Sequence, residues 1–274
     1  MKDYTLKYGK GSVTFALDEA HVTELYGTPV PKIDDIRAAL YATLSSPVSH
    51  EPLESWVNPG DKVALIVSDM SRFWMRQDLV VPHIISYLTD KCDVNQNNIT
   101  IIIANGTHPG GDENELRTLV TDGVYDRIRV VNHDCQAKDL VYIGTTSLGT
   151  EVRINPIAAN ADKVIMLGAC TYHVMAGYGG GRKSILPGIS GLETIRQNHL
   201  HSLDLLAPRS NPLIGNGVTD GNPLNEDMCQ AAAMVKNLFG INLVTNADMQ
   251  LAHIISGDPM KSWQLACHRV DEIY

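Results

Sequence analysis

Val63-Ala64-Leu65-Ile66-Val67 is a continuous apolar run that is followed at once by the polar pair Ser68-Asp69. A short run of this kind, rich in β-branched residues, is typical of a strand buried on both faces of a parallel sheet. Similar runs occur at residues 99–103, 128–131 and 164–167, and helical patterns at 79–89 and 113–121 separate the first three runs. This alternation predicts an α/β fold with a doubly wound, mainly parallel sheet and helices on both faces.

The rest of the chain predicts a few further elements. Residues 4–7 and 12–17 predict an N-terminal β-hairpin around the turn Gly9-Lys10-Gly11, and residues 34–44 contain a helical pattern. Residues 141–154 predict an inserted hairpin that turns near Leu148-Gly149. Asp258-Pro259 predicts the start of a last helix.

The composition narrows the class of protein. Of the 274 residues, 44% are hydrophobic and 19% are charged, which is ordinary globular composition. A formal net charge of -9 argues against binding to nucleic acid or to a membrane surface, since both need clustered Lys and Arg. There is no signal-peptide pattern or bilayer-spanning run, and the five cysteines are scattered without a C-x-x-C pair. We therefore expect a cytoplasmic protein with reduced thiols.

Polar clusters directly follow the predicted strands. They occupy residues 68–69, 105–108, 132–134 and 170–173. The carboxyl ends of parallel strands share one edge of a sheet, where open α/β folds bind their ligands. One such cluster could be turn chemistry, but four on one edge predict a ligand-binding cleft.

The richest segment runs from His173 to His199 and contains Gly179-Gly180-Gly181 and Lys183-Ser184. Consecutive glycines let backbone amides approach an anion closely. A P-loop needs glycine immediately before its Lys-Ser pair, and Arg182 stands there, so the P-loop interpretation fails. A tightly packed turn without function is the alternative, but a loop that unites histidine, lysine and arginine favours a binding site.

Three of the ten histidines are candidates for proton transfer or metal binding. His108 ends a predicted buried strand, and His173 and His199 flank the glycine-rich segment. Histidine titrates near neutral pH, which suits a general acid or base. The run His133-Asp134 is equally explained as the cap of a turn, and His201 lies near enough to His199 to confuse a ligand assignment. The other histidines belong to no cluster and are expected in the core or on the surface: His21, His50, His83, His253 and His268.

Asp69 and Arg72 follow the first predicted strand. A carboxylate can orient a histidine by accepting its second N–H, and an arginine can clamp a substrate carboxylate through two hydrogen bonds. An exposed salt bridge of little consequence is the alternative. Their place at the predicted cleft favours the functional interpretation.

Together these residues resemble the nickel-dependent lactate racemase family. The resemblance covers roughly residues 60–200 and rests on motifs that occur in the family order. They are Ser68-Asp69-x-Ser71-Arg72, Gly106-Thr107-His108, His173-x-x-Ala176-Gly177-x-Gly179-Gly180-Gly181-x-Lys183, Leu186-Pro187-Gly188 and Asn198-His199. The combined pattern is far more specific than any one motif.

The resemblance implies a nickel pincer nucleotide, a pyridinium mononucleotide with sulfur arms, as the cofactor. It implies that Lys183 holds this cofactor covalently and that His199 is the protein ligand of nickel. Gly179, Gly180 and Gly181, with Ser184 beside them, would hold its phosphate. A square-planar site with soft donors suits Ni(II). Proteins that make the cofactor are the implied partners.

The resemblance also implies the reaction, which is racemisation or epimerisation of a small 2-hydroxy acid such as lactate. His108 and His173 would be the paired acid–base catalysts, Arg72 would hold the substrate carboxylate, and Asp69 would orient His108. One histidine removes the hydroxyl proton while hydride passes from the substrate carbon to the cofactor. The resulting 2-oxo acid takes the hydride back on its other face.

The chain departs from the family in two places. The family has Thr-Arg-Pro where this chain has Ser71-Arg72-Phe73, and the bulk of Phe73-Trp74 puts lactate itself in doubt as the substrate. Family members also carry a C-terminal domain that closes over the cleft. We expect residues 1–60 to lead into an α/β catalytic domain of residues 61–256. Residues 257–274 would begin a hinge helix towards a domain largely absent from this chain.

Two other functions are open from the residues alone. One is a non-catalytic domain of the same fold that binds a nucleotide or another anion. The other is a hydrolase with His173 and His199 as zinc ligands, which lacks a third protein ligand at a fixed spacing. The complete set of His108, His173, Lys183 and His199 favours the racemase.

Overall fold

The structure is a computed structural model that describes residues 1–9 and 11–274. Lys10, in the predicted hairpin turn, lies outside the described residues. In chain order the strands are β1 (Lys2–Tyr8), β2 (Gly11–Leu17), β3 (Val63–Ser68), β4 (Ile99–Ala104), β5 (Arg129–Asn132), β6 (Val141–Thr145), β7 (Glu151–Ile154), β8 (Lys163–Ala169), β9 (Tyr172–His173), β10 (Ala176–Tyr178), β11 (Gly215–Asn216), β12 (Leu238–Thr245) and β13 (Leu251–Gly257).

The α-helices precede, separate and follow these strands. They are α1 (Ile36–Ser45), α2 (Leu53–Trp56), α3 (Val81–Asp90), α4 (Glu113–Val120), α5 (Asp122–Tyr125), α6 (Pro156–Ala159), α7 (Leu192–Leu200), α8 (Pro223–Ala233) and α9 (Pro259–Ile273). Two short 3₁₀ segments, Met70–Met75 and Gly181–Ser184, carry residues of the candidate site. Among the described residues, no helix is long and apolar enough to cross a membrane.

The central sheet has the strand order β13-β12-β8-β3-β4-β5. All its neighbouring strands pair in parallel except β13, which is antiparallel to β12 at the sheet edge. The four predicted apolar runs are β3, β4, β5 and β8, so the predicted mainly parallel sheet is confirmed. The prediction lacked β12, because Gly240 and Asn242 interrupt its apolar run even though the whole strand is buried.

Alternate side chains of the central strands enter two apolar cores on opposite faces of the sheet. In β3, Leu65 and Val67 pack in the core that α1, α3 and α4 cover. Ile66, between them in sequence, packs in the core that α8 and the start of α7 cover. Burial on both faces explains why the strand is apolar at every position and confirms helices on both sides.

The predicted hairpins and the last helix are also present. β1 pairs with β2 and β6 with β7, each antiparallel. The Asp258 carboxylate accepts hydrogen bonds from the N–H groups of Met260 and Lys261 and so caps α9, as expected for an Asp-Pro start. Trp263 and Val270 of α9 are buried in a cluster with Val244 of β12. The division of the chain into lead-in, catalytic domain and hinge helix stays a prediction.

Candidate active site

One cavity lies beyond the carboxyl ends of β3, β4 and β8, where the sequence predicts a cleft. It brings together most of the predicted site residues, from four separate segments of the chain. The predicted residues that line it are Arg72, His108, His173, Gly179, Gly180, Lys183, Ser184 and His199. Asp69 lies behind this lining, against His108, and Gly181 faces away from it.

Asp69 and His108 form a tight pair. His108 Nδ1 and Asp69 Oδ2 are 2.5 Å apart, and Ser71 Oγ donates to the other carboxylate oxygen at 2.6 Å. The Asp69 side chain is 8% exposed and that of His108 is 49% exposed. A carboxylate only accepts, so Nδ1 carries the proton and the neutral ring keeps a lone pair on Nε2. His108 is therefore held as a proton acceptor.

Arg72 lies next to this pair, at the end of the same polar turn. Its Nη1 donates to Ser71 Oγ at 2.9 Å and lies 3.4 Å from Asp69 Oδ1. The guanidinium also lines the cavity, and its side chain is 39% exposed. A half-exposed guanidinium keeps donors available for an anionic ligand.

His173 has the opposite hydrogen-bonding pattern. Its Nδ1 accepts from the N–H groups of Met175 and Ala176, at 3.2 and 3.1 Å. In the neutral ring the proton therefore sits on Nε2. Burial lowers the pKa of His173 to about 3, assisted by the positive charges of Lys183, Arg182 and Arg72. Protonating Nδ1 would also place its N–H against two other N–H groups, so the neutral ring is favoured.

The low pKa of His173 predicts acid-dependent stability. The unfolded chain takes up this proton near pH 6.5 and the folded protein only near pH 3, so the unfolded state binds more protons in between. The stabilisation is present above pH 6.5 and is lost as the pH falls. We expect His173 to account for about 2 to 3 kcal/mol of the loss in unfolding free energy between pH 7 and 4. Urea unfolding of wild type and His173→Gln at both pH values measures it; equal losses would contradict it.

Lys183 sits in the cavity without an acidic partner. Within the described part of the chain, no Asp or Glu forms an ion pair with it or lines the cavity. Burial, and then the positive charges of Arg182 and Arg72, lower the pKa of Lys183 to about 7. A large fraction of this amine is therefore unprotonated at neutral pH, and an unprotonated amine is a nucleophile.

His199 presents a free nitrogen lone pair. Its Nδ1 donates to the carbonyl of Ile195 one turn earlier in α7, at 2.9 Å, which leaves Nε2 unprotonated in the neutral ring. Burial lowers the pKa of His199, and that keeps the ring neutral. The preceding Asn198 is buried and donates to Asp227 Oδ2 of α8 at 2.8 Å, which fixes α7. A histidine whose Nδ1–H is held by a carbonyl and whose Nε2 is free has the arrangement that a metal ligand needs.

The glycine-rich segment differs from the expected anion cradle. The N–H of Gly179 donates to the carbonyl of Thr171 at 2.8 Å, and that of Gly181 donates to Asn242 Oδ1 at 3.0 Å. A Cβ on Gly181 would lie 2.9 Å from Trp263, and one on Gly179 would lie 2.9 Å from the Ala169 carbonyl. These two amides are therefore committed to the fold, and Gly180 and Ser184 remain as phosphate candidates in the cavity lining.

Gly177 is required by close packing within the same segment. Its φ is +75°, and a Cβ there would lie 2.4 Å from the Val218 carbonyl. Gly149, with φ of +89° and open space around it, is the matched control. We expect Gly149→Ala to cost about 1 kcal/mol of unfolding free energy and Gly177→Ala at least about 3 kcal/mol. Equal losses of unfolding free energy for the two variants, measured by chemical denaturation, would show that the backbone shifts to relieve the overlap between the new Cβ and the Val218 carbonyl.

The two other histidines of the predicted clusters, His133 and His201, lie outside the cavity lining. His133 is buried and its Nε2 lies 2.9 Å from the Ser190 carbonyl, and Asp134 caps a turn through the Gln136 N–H, so this pair is structural. His201 Nε2 lies 3.9 Å from Asp227 and does not line the cavity. Across residues 1–9 and 11–274, no three His, Cys, Asp or Glu side chains converge as metal ligands.

Of the bulky pair Phe73-Trp74 noted in the sequence, Trp74 lines the cavity and Phe73 does not. Two other residues at the site had no local sequence signal. The Trp263 indole N–H donates to the Gly179 carbonyl at 2.9 Å, and Asn225 Oδ1 accepts from Arg182 Nε at 2.9 Å. Trp263 lies in α9 and Asn225 in α8, far along the chain, so nothing near the glycine-rich segment in the sequence identifies them.

Known proteins resemble the chain in both sequence and structure. A family model described as the lactate racemase N-terminal domain matches residues 8–209. Lactate racemase from Thermoanaerobacterium thermosaccharolyticum is 27% identical and is matched over 100% of this chain and 63% of its own length. Lactate racemase from Lactiplantibacillus plantarum is also 27% identical, over 98% of this chain and 62% of its own length. The chain therefore spans less than two-thirds of each relative.

Two solved structures share the fold. The lactate racemase apoprotein from Thermoanaerobacterium thermosaccharolyticum has a TM-score of 0.87 at 25% identity, over 99% of this chain and 63% of that one. A protein from Thermotoga maritima has a TM-score of 0.67 at 18% identity, over 92% of this chain and 61% of that one. The second likeness speaks for the fold alone.

Proposed function

Because the chain belongs to the lactate racemase N-terminal domain family, we propose that it forms the catalytic domain of a 2-hydroxy-acid racemase or epimerase. The substrate would be lactate or a similar small acid. One observation carries the proposal: a single cavity joins two histidines of opposite hydrogen-bonding pattern with an arginine, a lysine without an acidic partner and a third histidine.

The two catalytic histidines are suited to different ends of a proton transfer. His108, whose Nδ1–H is held by Asp69, accepts the substrate hydroxyl proton on Nε2. His173 presents an Nε2–H to a substrate oxygen. To give this proton up, the His173 ring must gain one on Nδ1, and the bonds from Met175 and Ala176 must open. Negative charge from a bound carboxylate or phosphate favours that cationic form.

Arg72 is assigned the substrate carboxylate. It lines the cavity beside His108, and a guanidinium matches the two oxygens of a carboxylate. Trp74 lies in the same lining and narrows the space for the substrate's side chain.

The residues present fit a nickel pincer nucleotide. Lys183 supplies a nucleophilic amine for its covalent attachment, and His199 supplies a free Nε2 as the metal ligand. Gly180 and Ser184 are the lining residues assigned to its phosphate. Such a group, when bound, would supply the hydride-accepting and hydride-returning chemistry that inversion at the substrate carbon requires. The proteins that make this cofactor would then be necessary partners.

We also propose a cytoplasmic location, because the five cysteines are free thiols.

Chiral analysis of 2-hydroxy acids tests the proposal. The protein, in the form that its host makes, would be produced together with the cofactor-making proteins. It would then be incubated with single enantiomers of lactate and related acids. We expect both enantiomers of at least one acid to appear. Cofactor retention without interconversion of any acid would favour the non-catalytic, nucleotide-binding alternative and contradict the racemase.

A further inference from the structure

Arg182 is a buried cation in a place where a P-loop has glycine. Its side chain is fully buried. Nη2 donates to the Ala176 carbonyl at 2.8 Å, Nη1 to the Gly179 carbonyl at 3.2 Å, and Nε to Asn225 Oδ1 at 2.9 Å. The guanidinium carbon lies 3.8 Å from the centre of the Trp263 ring. Every one of these partners is neutral.

The positive charge of Arg182 is therefore solvated by dipoles but is not cancelled. Among the described residues no carboxylate pairs with it. Burial raises the pKa of the nearby thiols of Cys229 and Cys267, so neither supplies a negative charge. Burial also lowers the pKa of Arg182, yet a guanidinium starts from so high a value that it keeps its proton. A buried charge without a counter-ion acts strongly on its neighbours.

Two groups in the cavity feel this charge, His173 and the next residue in the chain, Lys183. The other titratable or charged groups that line its cavity are Arg72 from the Met70–Met75 segment, His108 from the turn after β4, His173 of β9 and His199 of α7. None of them brings a negative charge towards the amine. Burial lowers the pKa of Lys183 most, and the charges of Arg182 and then Arg72 lower it further.

We propose that Arg182 is a positioning residue for Lys183: it fixes the loop through the Ala176 and Gly179 carbonyls, and its buried, uncancelled charge adds to the burial of Lys183 in disfavouring a second cation beside it. This role gives a reason for a cation at a position of the loop that does not line the cavity. It deepens the proposed function, in which Lys183 holds the cofactor. The cofactor-free protein tests it independently of that function.

The pH dependence of the acylation of Lys183 by acetic anhydride, followed from pH 5 to 11, tests the proposal. The unprotonated amine attacks one carbonyl of the anhydride, an amide forms, and acetate and a proton leave. Mass spectrometry of the digest gives the extent at Lys183, with the exposed Lys138 as the internal control for reagent reactivity. We expect half-maximal reactivity of Lys183 near pH 7 in the wild type.

Two variants separate charge from packing. Arg182→Gln removes the charge and is expected to raise the midpoint by about one pH unit, which slows acylation of Lys183 at pH 7 about fivefold because the unprotonated fraction falls from about one half to about one tenth. Arg182→Lys keeps the charge but loses the planar fork, so its midpoint should stay near that of the wild type even if its melting temperature falls. A purely structural role predicts that the two variants behave alike.

Two results would overturn the proposal. One is a folded Arg182→Gln, or the neutral Arg182→Met, that keeps the wild-type midpoint. The other is a wild-type Lys183 that reacts with a midpoint near pH 10, as an ordinary lysine does. If neither neutral variant folds, a wild-type midpoint near pH 10 still overturns the proposal.

Discussion

Lys183→Ala is expected to remove the covalent cofactor completely. In the described part of the chain no other lysine lines the cavity, and burial together with the positive charges around Lys183 leaves a large fraction of its amine unprotonated at neutral pH. An alanine has no nucleophile to replace it. Intact-mass measurement of protein produced with the cofactor-making proteins should therefore show an added mass in the wild type and none in the variant. Racemisation should be lost with it.

Two controls make this result specific to the Lys183 amine. Lys183→Arg keeps a positive charge at the same place but not the nucleophile, so it should also carry no added mass. Lys138→Ala removes an exposed lysine and should carry the cofactor as the wild type does. An unchanged added mass in Lys183→Ala would show that the cofactor is attached elsewhere or is not covalent.

His108→Ala is expected to lower kcat by at least about 100-fold, because it removes the proton acceptor that Asp69 orients. The fold should survive, since the His108 side chain is half-exposed. His268→Ala, which removes an exposed histidine on α9, is the matched control and should keep wild-type turnover. Steady-state rates of the loaded proteins, with circular dichroism as the check on folding, give the answer. A His108→Ala enzyme with near-wild-type kcat would mean that another group takes the proton.

The fold could be predicted to the extent that its signals are local. The continuous apolar runs of β3, β4 and β8 follow directly from burial on both faces of the sheet. β12 escaped because Asn242 interrupts its run, and that asparagine is buried to accept the Gly181 N–H. A buried polar residue that bonds to a distant loop looks, in the sequence alone, like the end of a strand. The apolar pattern that would have predicted β12 is therefore interrupted at Asn242.

The candidate site could be predicted where chemistry and position coincide. Asp69 and His108 follow different apolar strands, β3 and β4, and the structure brings Asp69 Oδ2 and His108 Nδ1 to 2.5 Å from each other. The roles of the glycines could not be predicted, because glycine suits both an anion cradle and close packing. Only the contacts of Gly179 with Thr171 and of Gly181 with Asn242 distinguish the two.

The surroundings of Arg182 were beyond the reach of the sequence. Trp263 comes 81 residues after Arg182 (263 − 182) and Asn225 comes 43 residues after it (225 − 182). They contact Arg182 only because α9 and α8 pack against the loop. From the sequence, Arg182 served only to exclude a P-loop. Its burial without a counter-ion is a property of the packed structure, and so is its action on Lys183.

The proposed racemase is tested most directly with L-lactate that carries deuterium on carbon 2, incubated in ordinary water with the cofactor-loaded protein. We predict that D-lactate appears and that it keeps the deuterium on carbon 2, because that hydrogen returns to the same carbon from within the cavity and His108 and His173 handle only the hydroxyl proton. D-lactate with a solvent hydrogen on carbon 2 would contradict hydride return. The absence of any D-isomer, from lactate and from every related acid, would contradict the racemase itself.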